Sequence, residues 1–209
     1  MKKFITSCPM QRSKADGSVQ GLELINYDIS GNSSLEKMET HFPIIPVICA
    51  YAERGEEIQI ILLKSTYETT DYNYELFGHE IEEIKKNLGI KAEIKEIITE
   101  YKEDLNTQLK LFSDIITCLN NEDELYVCIT YGTKPTPIVQ MMAVNYAYRV
   151  LNDVKVECIV YGQANHVKHI GTIFDVTALF FMDEAVNNLA RMNLENPTEI
   201  IKGILKTEE

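Results

Sequence analysis

Apolar positions along the chain follow two alternating periods. Short runs rich in β-branched residues, Lys3-Phe4-Ile5-Thr6, Ile58-Gln59-Ile60-Ile61-Leu62-Leu63, Ala92-Glu93-Ile94-Lys95-Glu96-Ile97-Ile98 and the run from Leu125 to Ile129, have the length and composition of strands. Between them, apolar side chains recur every three or four residues, as on one face of a helix. Pro43 and Pro46 open a helix through Ile44, Val47, Ile48 and Tyr51 that stops near Gly55, and a second helix places Phe77, Ile81, Ile84 and Leu88 on one face before Gly89. A third carries Leu105, Leu109, Phe112, Ile115 and Leu119. The fourth, 138–151, is apolar over most of its circumference, which predicts deep burial or a subunit interface. Strands and helices that alternate in this way predict an α/β fold: a Rossmann-like, mostly parallel sheet with right-handed crossovers and helices on its faces. The half-polar strand from Ala92 suits a sheet edge.

The end of the chain departs from that rhythm. Val156-Glu157-Cys158-Ile159-Val160-Tyr161 and Thr172-Ile173-Phe174-Asp175-Val176 are separated by too few residues for a helical crossover, so they are expected to form an antiparallel hairpin at the C-terminal edge of the sheet. Helices over 178–209 follow, one with Leu179, Met182, Val186 and Leu189 on its apolar face. Residues 13–41, rich in Gly, Ser, Asn and Asp with one strand-like run from Leu22 to Tyr27, form a loop or hairpin insertion after the first strand and are expected to cover a site or to be a variable connection. Nothing marks a domain boundary, so residues 1–209 are expected to make one domain.

The chemistry concentrates where the Leu125 run meets Thr130-Tyr131-Gly132-Thr133-Lys134-Pro135-Thr136-Pro137. Gly132 lets the backbone turn, and Thr136 followed by Pro137 reads as an N-cap with proline at the first helical position. The helix therefore starts beside the strand's carboxyl end, which in open α/β sheets is the ligand-binding edge, and helix N-termini favour anions. A lysine there gains nothing from the macrodipole unless an anion sits between, so Lys134 points to a phosphate, or else simply to solvent. Neither G-x-x-x-x-G-K nor G-x-G-x-x-G is present. Thr6 and Ser7 end the first strand, which in a doubly wound sheet lies beside this one, so both loops are expected to face one pocket; Gln11 and Arg12 follow on the first loop.

Charge narrows the partners. A formal net charge of −12 disfavours long DNA or RNA, whose binding draws on clustered Lys and Arg, but leaves room for a small anion in a local pocket; Lys2, Lys3, Arg12, Lys14 and Lys134 are the cations near candidate loops. Five widely spaced cysteines read as reduced, packed thiols. His166 and His169 lie three apart in a loop without an evident acidic partner, which reads as solvated rather than metal-binding. No metal or other cofactor is expected, and without a signal peptide or a long apolar run the expected location is cytoplasmic, away from membranes.

These residues resemble the CRISPR-associated Rossmann fold (CARF) proteins, specifically the small stand-alone group whose late motif reads roughly Asp-x-Thr-His/Gly-Gly before a long apolar helix. The counterpart here is Cys128-Ile129-Thr130-Tyr131-Gly132-Thr133-Lys134-Pro135, continued by Met141-Met142-Ala143-Val144-Asn145-Tyr146-Ala147. Lys3-Phe4-Ile5-Thr6, Phe42-Pro43 and Phe174-Asp175-Val176-Thr177 support the likeness, which spans most of the chain; Cys128 stands for the acidic residue and Tyr131 for His or Gly. The resemblance implies a defence protein of type III CRISPR immunity, a homodimer that binds a cyclic oligoadenylate across its two-fold axis as a stand-alone sensor, with an effector acting in trans. It implies ligand contacts from Thr6, Ser7, Gln11, Arg12, Thr130, Tyr131, Gly132, Thr133, Lys134 and Pro135. The alternative it implies is a metal-independent ring nuclease, in which the ribose 2′-hydroxyl attacks the adjacent phosphate while Lys134 and Ser7 stabilise charge.

Overall fold

The structure, a computed structural model, describes residues 1–10, 22–67, 70–192 and 195–205. Its strands are β1 (Lys2–Ser7), β2 (Ile25–Ser30), β3 (Met38–Thr40), β4 (Glu57–Ser65), β5 (Lys91–Thr99), β6 (Glu124–Cys128), β7 (Lys155–Asn165) and β8 (Ile170–Asp175). Its helices are α1 (Ile44–Tyr51), α2 (Thr70–Leu88), α3 (Leu105–Ile116), α4 (Thr136–Val150), α5 (Thr177–Arg191) and α6 (Pro197–Leu205). The strands form one sheet in the order β3-β2-β8-β7-β6-β1-β4-β5. From β7 to β5 all neighbours are parallel, so the fold is the expected α/β one. Because β4 and β5 lie to one side of β1 while β6 and β7 lie to the other, the winding reverses between β1 and β6, the topological switch point of a doubly wound sheet.

Strand alternation divides the core into two layers. Phe4, Ile60, Leu62, Tyr126 and Cys128 face α1 and α2, which contribute Ile44, Val47, Ile48, Phe77 and Ile81. Ile5, Ile61, Leu63, Leu125 and Val127 face the other way, onto Leu111 and Ile115 of α3, Val139, Ala143, Val144 and Ala147 of α4 and Phe180 of α5. Burying each large side chain of this kind is worth about 1.5–3 kcal/mol, and the sheet is covered on both faces as its apolar strands require.

Three expectations are corrected. The β7–β8 hairpin forms and is antiparallel, but it is not the sheet's edge: β2 from the insertion pairs parallel with β8, and β3 pairs antiparallel with β2, so the described part of the insertion extends the sheet. On α3 the buried residues are Leu111 and Ile115, while Leu105 and Leu109 are 70% and 51% exposed. Two apolar stripes run along this helix and the sheet takes only one. On α5 the anchor is Phe180, packed edge-on against Tyr148 at 5.3 Å, whereas Leu179 and Val186 face outward. The outer face of α4 likewise shows Ile138, Met142 and Val150, so its apolar circumference is half core and half surface. No helix among the described residues is long and apolar enough to cross a membrane.

All five cysteines are free, and Cys8, Cys128 and Cys158 are buried. Burial pushes the Cys8 and Cys158 thiols up to about 12 from an ordinary 9.0, and the Tyr27 phenol up to about 12 from 10.0. Between those limits the folded chain keeps protons that the unfolded chain has released, so stability falls as pH rises. Thermal melts are expected to lose midpoint steadily once the pH exceeds the ordinary thiol value. A midpoint unchanged up to about pH 11 would mean that these groups titrate alike in both states.

Candidate functional site

The carboxyl ends of β1, β4 and β5, the turn after β6 and the first turns of α3 and α4 enclose one pocket. Its lining includes Ser7, Leu63, Ser65, Thr99, Gln108, Gly132, Thr133 and Thr136, with Cys8 and Met10 from the loop after β1 and exposed Glu100 and Lys102 at the rim. The expectation that the loops after the first strand and after the Leu125 strand share a pocket therefore holds for Ser7, Gly132 and Thr133. The pocket's interior volume is about 20 Å³, enough for about one water.

The turn after β6 is built by its own side chains. Thr133 donates its N–H to Thr136 Oγ1 at 3.1 Å, the two hydroxyls lie 3.0 Å apart, and the Thr136 N–H returns to the Thr133 carbonyl at 3.0 Å. Gly132 has φ +115°, and a Cβ there would lie 2.7 Å from Thr136 Cβ, so only glycine fits. The helix begins at Thr136, one residue earlier than expected, with Pro135 rather than Thr136 as N-cap and no side-chain cap bond. This changes which donors an anion could use. Pro135 and Pro137 have no N–H, and those of Thr133 and Thr136 are committed, leaving the Gly132, Lys134 and Ile138 N–H groups without an acceptor among the described residues.

The remaining predicted residues fall into two groups. Lys134 is exposed, does not line the pocket, and makes no ion pair among the described residues, so its ammonium could reach an anion only at the pocket mouth. Pro135 shapes the helix start. Thr130 and Tyr131 turn away: the Thr130 hydroxyl accepts the Gly162 N–H at 2.8 Å and meets the Cys128 thiol at 3.1 Å, while the Tyr131 hydroxyl donates to the His41 carbonyl at 3.2 Å. Burial raises the Tyr131 pKa well above that of an ordinary phenol, and its ring packs on the core, so both residues hold the turn rather than face the pocket. Thr6 is buried behind Ser7, beside the Cys128 thiol, whose pKa burial also raises. Gln11 and Arg12 lie outside the described residues. Lys2 and Lys3 are at the opposite end of β1: Lys2 pairs with Glu53 and Glu56, and Lys3 with Asp123.

Two residues of the lining carry a buried polar atom that has no partner among the described residues. Ser7 is 3% exposed, and its Oγ is buried without a hydrogen bond; Gln108 Oε1 is buried in the same condition. Gln108 was not anticipated, because a glutamine near a helix start has no sequence signature. Elsewhere, His166 and His169 do have an acidic partner, Glu23, whose carboxylate lies 3.5 Å and 3.9 Å from their Nδ1 atoms. Among the described residues, no three of His, Cys, Asp and Glu are placed so that they could hold a metal ion.

No model of a known protein family matches the chain. A CRISPR-associated protein of Methanocaldococcus jannaschii is 22% identical to it over 110 residues, which are 52% of this chain and 17% of that relative. The matched stretch thus covers about a sixth of the relative's length.

Proposed function

We propose that this chain is a CRISPR-associated defence protein that binds a cyclic oligoadenylate at the β1–β6 switch point, as a homodimer and as a sensor whose signal an effector elsewhere carries on. The observation that carries the reading is the buried Ser7 hydroxyl, unpartnered among the described residues, in one pocket with the Gly132 turn, whose N–H groups at Gly132 and Lys134 are uncommitted donors of the kind an anion takes. The likeness to the archaeal CRISPR-associated protein supports the biological setting. A ring with its own two-fold symmetry suits an isologous dimer, which would give each half the same contacts. Leu105, Leu109, Ile138 and Met142, exposed on the adjacent helices α3 and α4 that also border the pocket, are the apolar surface we assign to the partner.

The alternative, a metal-independent ring nuclease, needs a group to take the 2′-hydroxyl proton. Among the described residues no histidine lines the pocket, Glu100 pairs with Lys102 at 2.5 Å, and burial pushes the Cys8 thiol up to about 12, so binding is the preferred reading. Cyclic tri-, tetra- and hexa-adenylate should be incubated with the protein, with and without chelator, and followed by chromatography, calorimetry and light scattering. The expected result is a dimer that holds one ring size intact and binds a linear adenylate of equal phosphate count far more weakly, because the −12 chain repels polyanions outside its pocket. Chelator-resistant linear products would make it the nuclease, and affinity for none of the rings would end both readings.

A further inference from the structure

The pocket at the switch point, about 20 Å³ inside, is far too small for a nucleobase, so the bases of a bound nucleotide need another surface. The β7–β8 hairpin supplies one. β6 ends at Cys128, level with Val160, while β7 continues through residues 161–165, paired with β8, which in turn pairs with β2. At roughly 3.3 Å per residue these strands form an arm that stands about 16 Å past the end of β6. One face of the arm is packed, with Tyr27 and Ile173 buried, and the other is open. Ile159 faces the layer of α3, α4 and α5, so alternation turns Tyr161 and Gln163 to that side, the side to which Leu63 and Leu111 of the switch-point pocket belong. Tyr161 is 43% exposed and Gln163 is exposed as well. We propose that this open face holds an adenine base of the bound nucleotide, with Tyr161 stacking on the ring and Gln163 reading its edge. The proposal rests on the nucleotide reading above and names the surface that takes the base.

Strand register places the groups. Gln163 lies opposite Thr172, Thr172 opposite Asp28, and Tyr161 opposite Phe174. Side chains opposite each other on one face are about 5 Å apart at Cβ, and those two apart along a strand about 7 Å, so ring and amide share a patch the size of a purine. Gln163, Thr172, Asn26 and Asp28 line a hollow of about 630 Å³, room for a base with its sugar. The arm is fastened to the phosphate turn, because the Gly162 N–H donates to the Thr130 hydroxyl at 2.8 Å and Thr130 lies two residues before Gly132. Gln163 adjoins that joint, whereas the Asn26 amide is two strands away, and Asn165 commits its Oδ1 to the Val167 and Lys168 N–H groups of the hairpin turn. The chemistry suits a neutral ring. Asp28 pairs with Lys37 at 2.8 Å, so the two charges lining the hollow answer each other and leave no cation for a phosphate. A glutamine amide bonds adenine at both N6 and N7, and hypoxanthine, with an acceptor at position 6, loses one of those bonds. An exposed tyrosine ring stacks on a base of any kind.

The test is calorimetric titration of the full chain and of two variants, Gln163→Leu and Tyr161→Ala, each checked by circular dichroism and light scattering. The ligands are whichever of cyclic tri-, tetra- and hexa-adenylate the wild type binds best and the all-inosine ring of the same size. The wild type is expected to prefer the adenine ring by about ten- to a hundredfold, and Gln163→Leu to bring that preference to within about threefold. Tyr161→Ala should weaken both rings about tenfold and keep the preference. Equal affinity of the wild type for both rings overturns the proposal while leaving the functional reading in place. So does wild-type behaviour of both folded variants, or a variant that loses the wild type's dimer, which would make the face a subunit contact. If no adenylate ring binds the wild type, the functional reading falls and this inference falls with it.

Discussion

Lys3→Ala is expected to lower the free energy of unfolding by about 3–5 kcal/mol, a third or more of what a typical domain has. Lys3 and Asp123 are each 3% exposed and meet at 3.1 Å, tying β1 to the loop that enters β6. Lys3 also donates to the Cys118 carbonyl, and Asp123 accepts the Asn120 N–H at 2.6 Å and lies 3.5 Å from the N-terminal ammonium. Removing the lysine leaves a carboxylate buried with the Asn120 N–H and, at 3.5 Å, the N-terminal ammonium to answer it. The cost then is the desolvation of that charge, far larger than the net worth of the pair. The double replacement Lys3→Met with Asp123→Leu removes both charges together and is expected to be much closer to the wild type. Urea unfolding of both variants checks this: a Lys3→Ala loss below about 1 kcal/mol would show that the carboxylate finds water or another partner when the lysine goes.

That ion pair also marks where sequence reasoning stops. Counting cations near loops placed Lys3 among groups available to an anion, because composition does not say which end of a strand a residue occupies. The pair turns Lys3 inward at the end of β1 away from the pocket. Alternating apolar periods were enough for the layers and for the parallel order around β1, since those follow from short-range patterning. They were enough for Ser7 and Gly132 as well, because a switch point brings the ends of neighbouring strands together whatever their side chains. The limits came where two solutions shared one pattern. Leu105 and Leu109 compete with Leu111 for the core face of α3, and the sheet decides. Thr130 and Tyr131 lie in the turn that borders the pocket, but their side chains point to β7 and the core, which no spacing rule reveals. The place of Gln108 in a pocket with Ser7 and Gly132, and that of the Glu23 carboxylate near His166 and His169, depend on contacts between distant segments.

Lys134→Ala is expected to weaken cyclic oligoadenylate binding by more than any other exposed substitution while leaving the fold intact. The side chain is exposed, precedes the Pro135 cap, and has no ion-pair partner among the described residues, so the apo protein loses nothing that holds it together. A cation at a helix N-terminus is slightly unfavourable, and its removal should leave the melting midpoint unchanged or a little higher. With ligand bound the balance reverses. One charge-assisted contact to a phosphate is worth about 1.5–3 kcal/mol, roughly ten- to a hundredfold in affinity, and a two-fold symmetric complex loses it twice, so the factors multiply toward about a hundred- to ten-thousandfold. Lys134→Arg should restore most of the affinity, because the charge rather than the shape is needed where the group meets phosphate at the pocket mouth. Wild-type affinity in a folded Lys134→Ala protein would place the phosphates away from this turn, and with them the whole assignment of the Gly132 cradle. A large drop in melting midpoint without ligand would instead make the lysine structural.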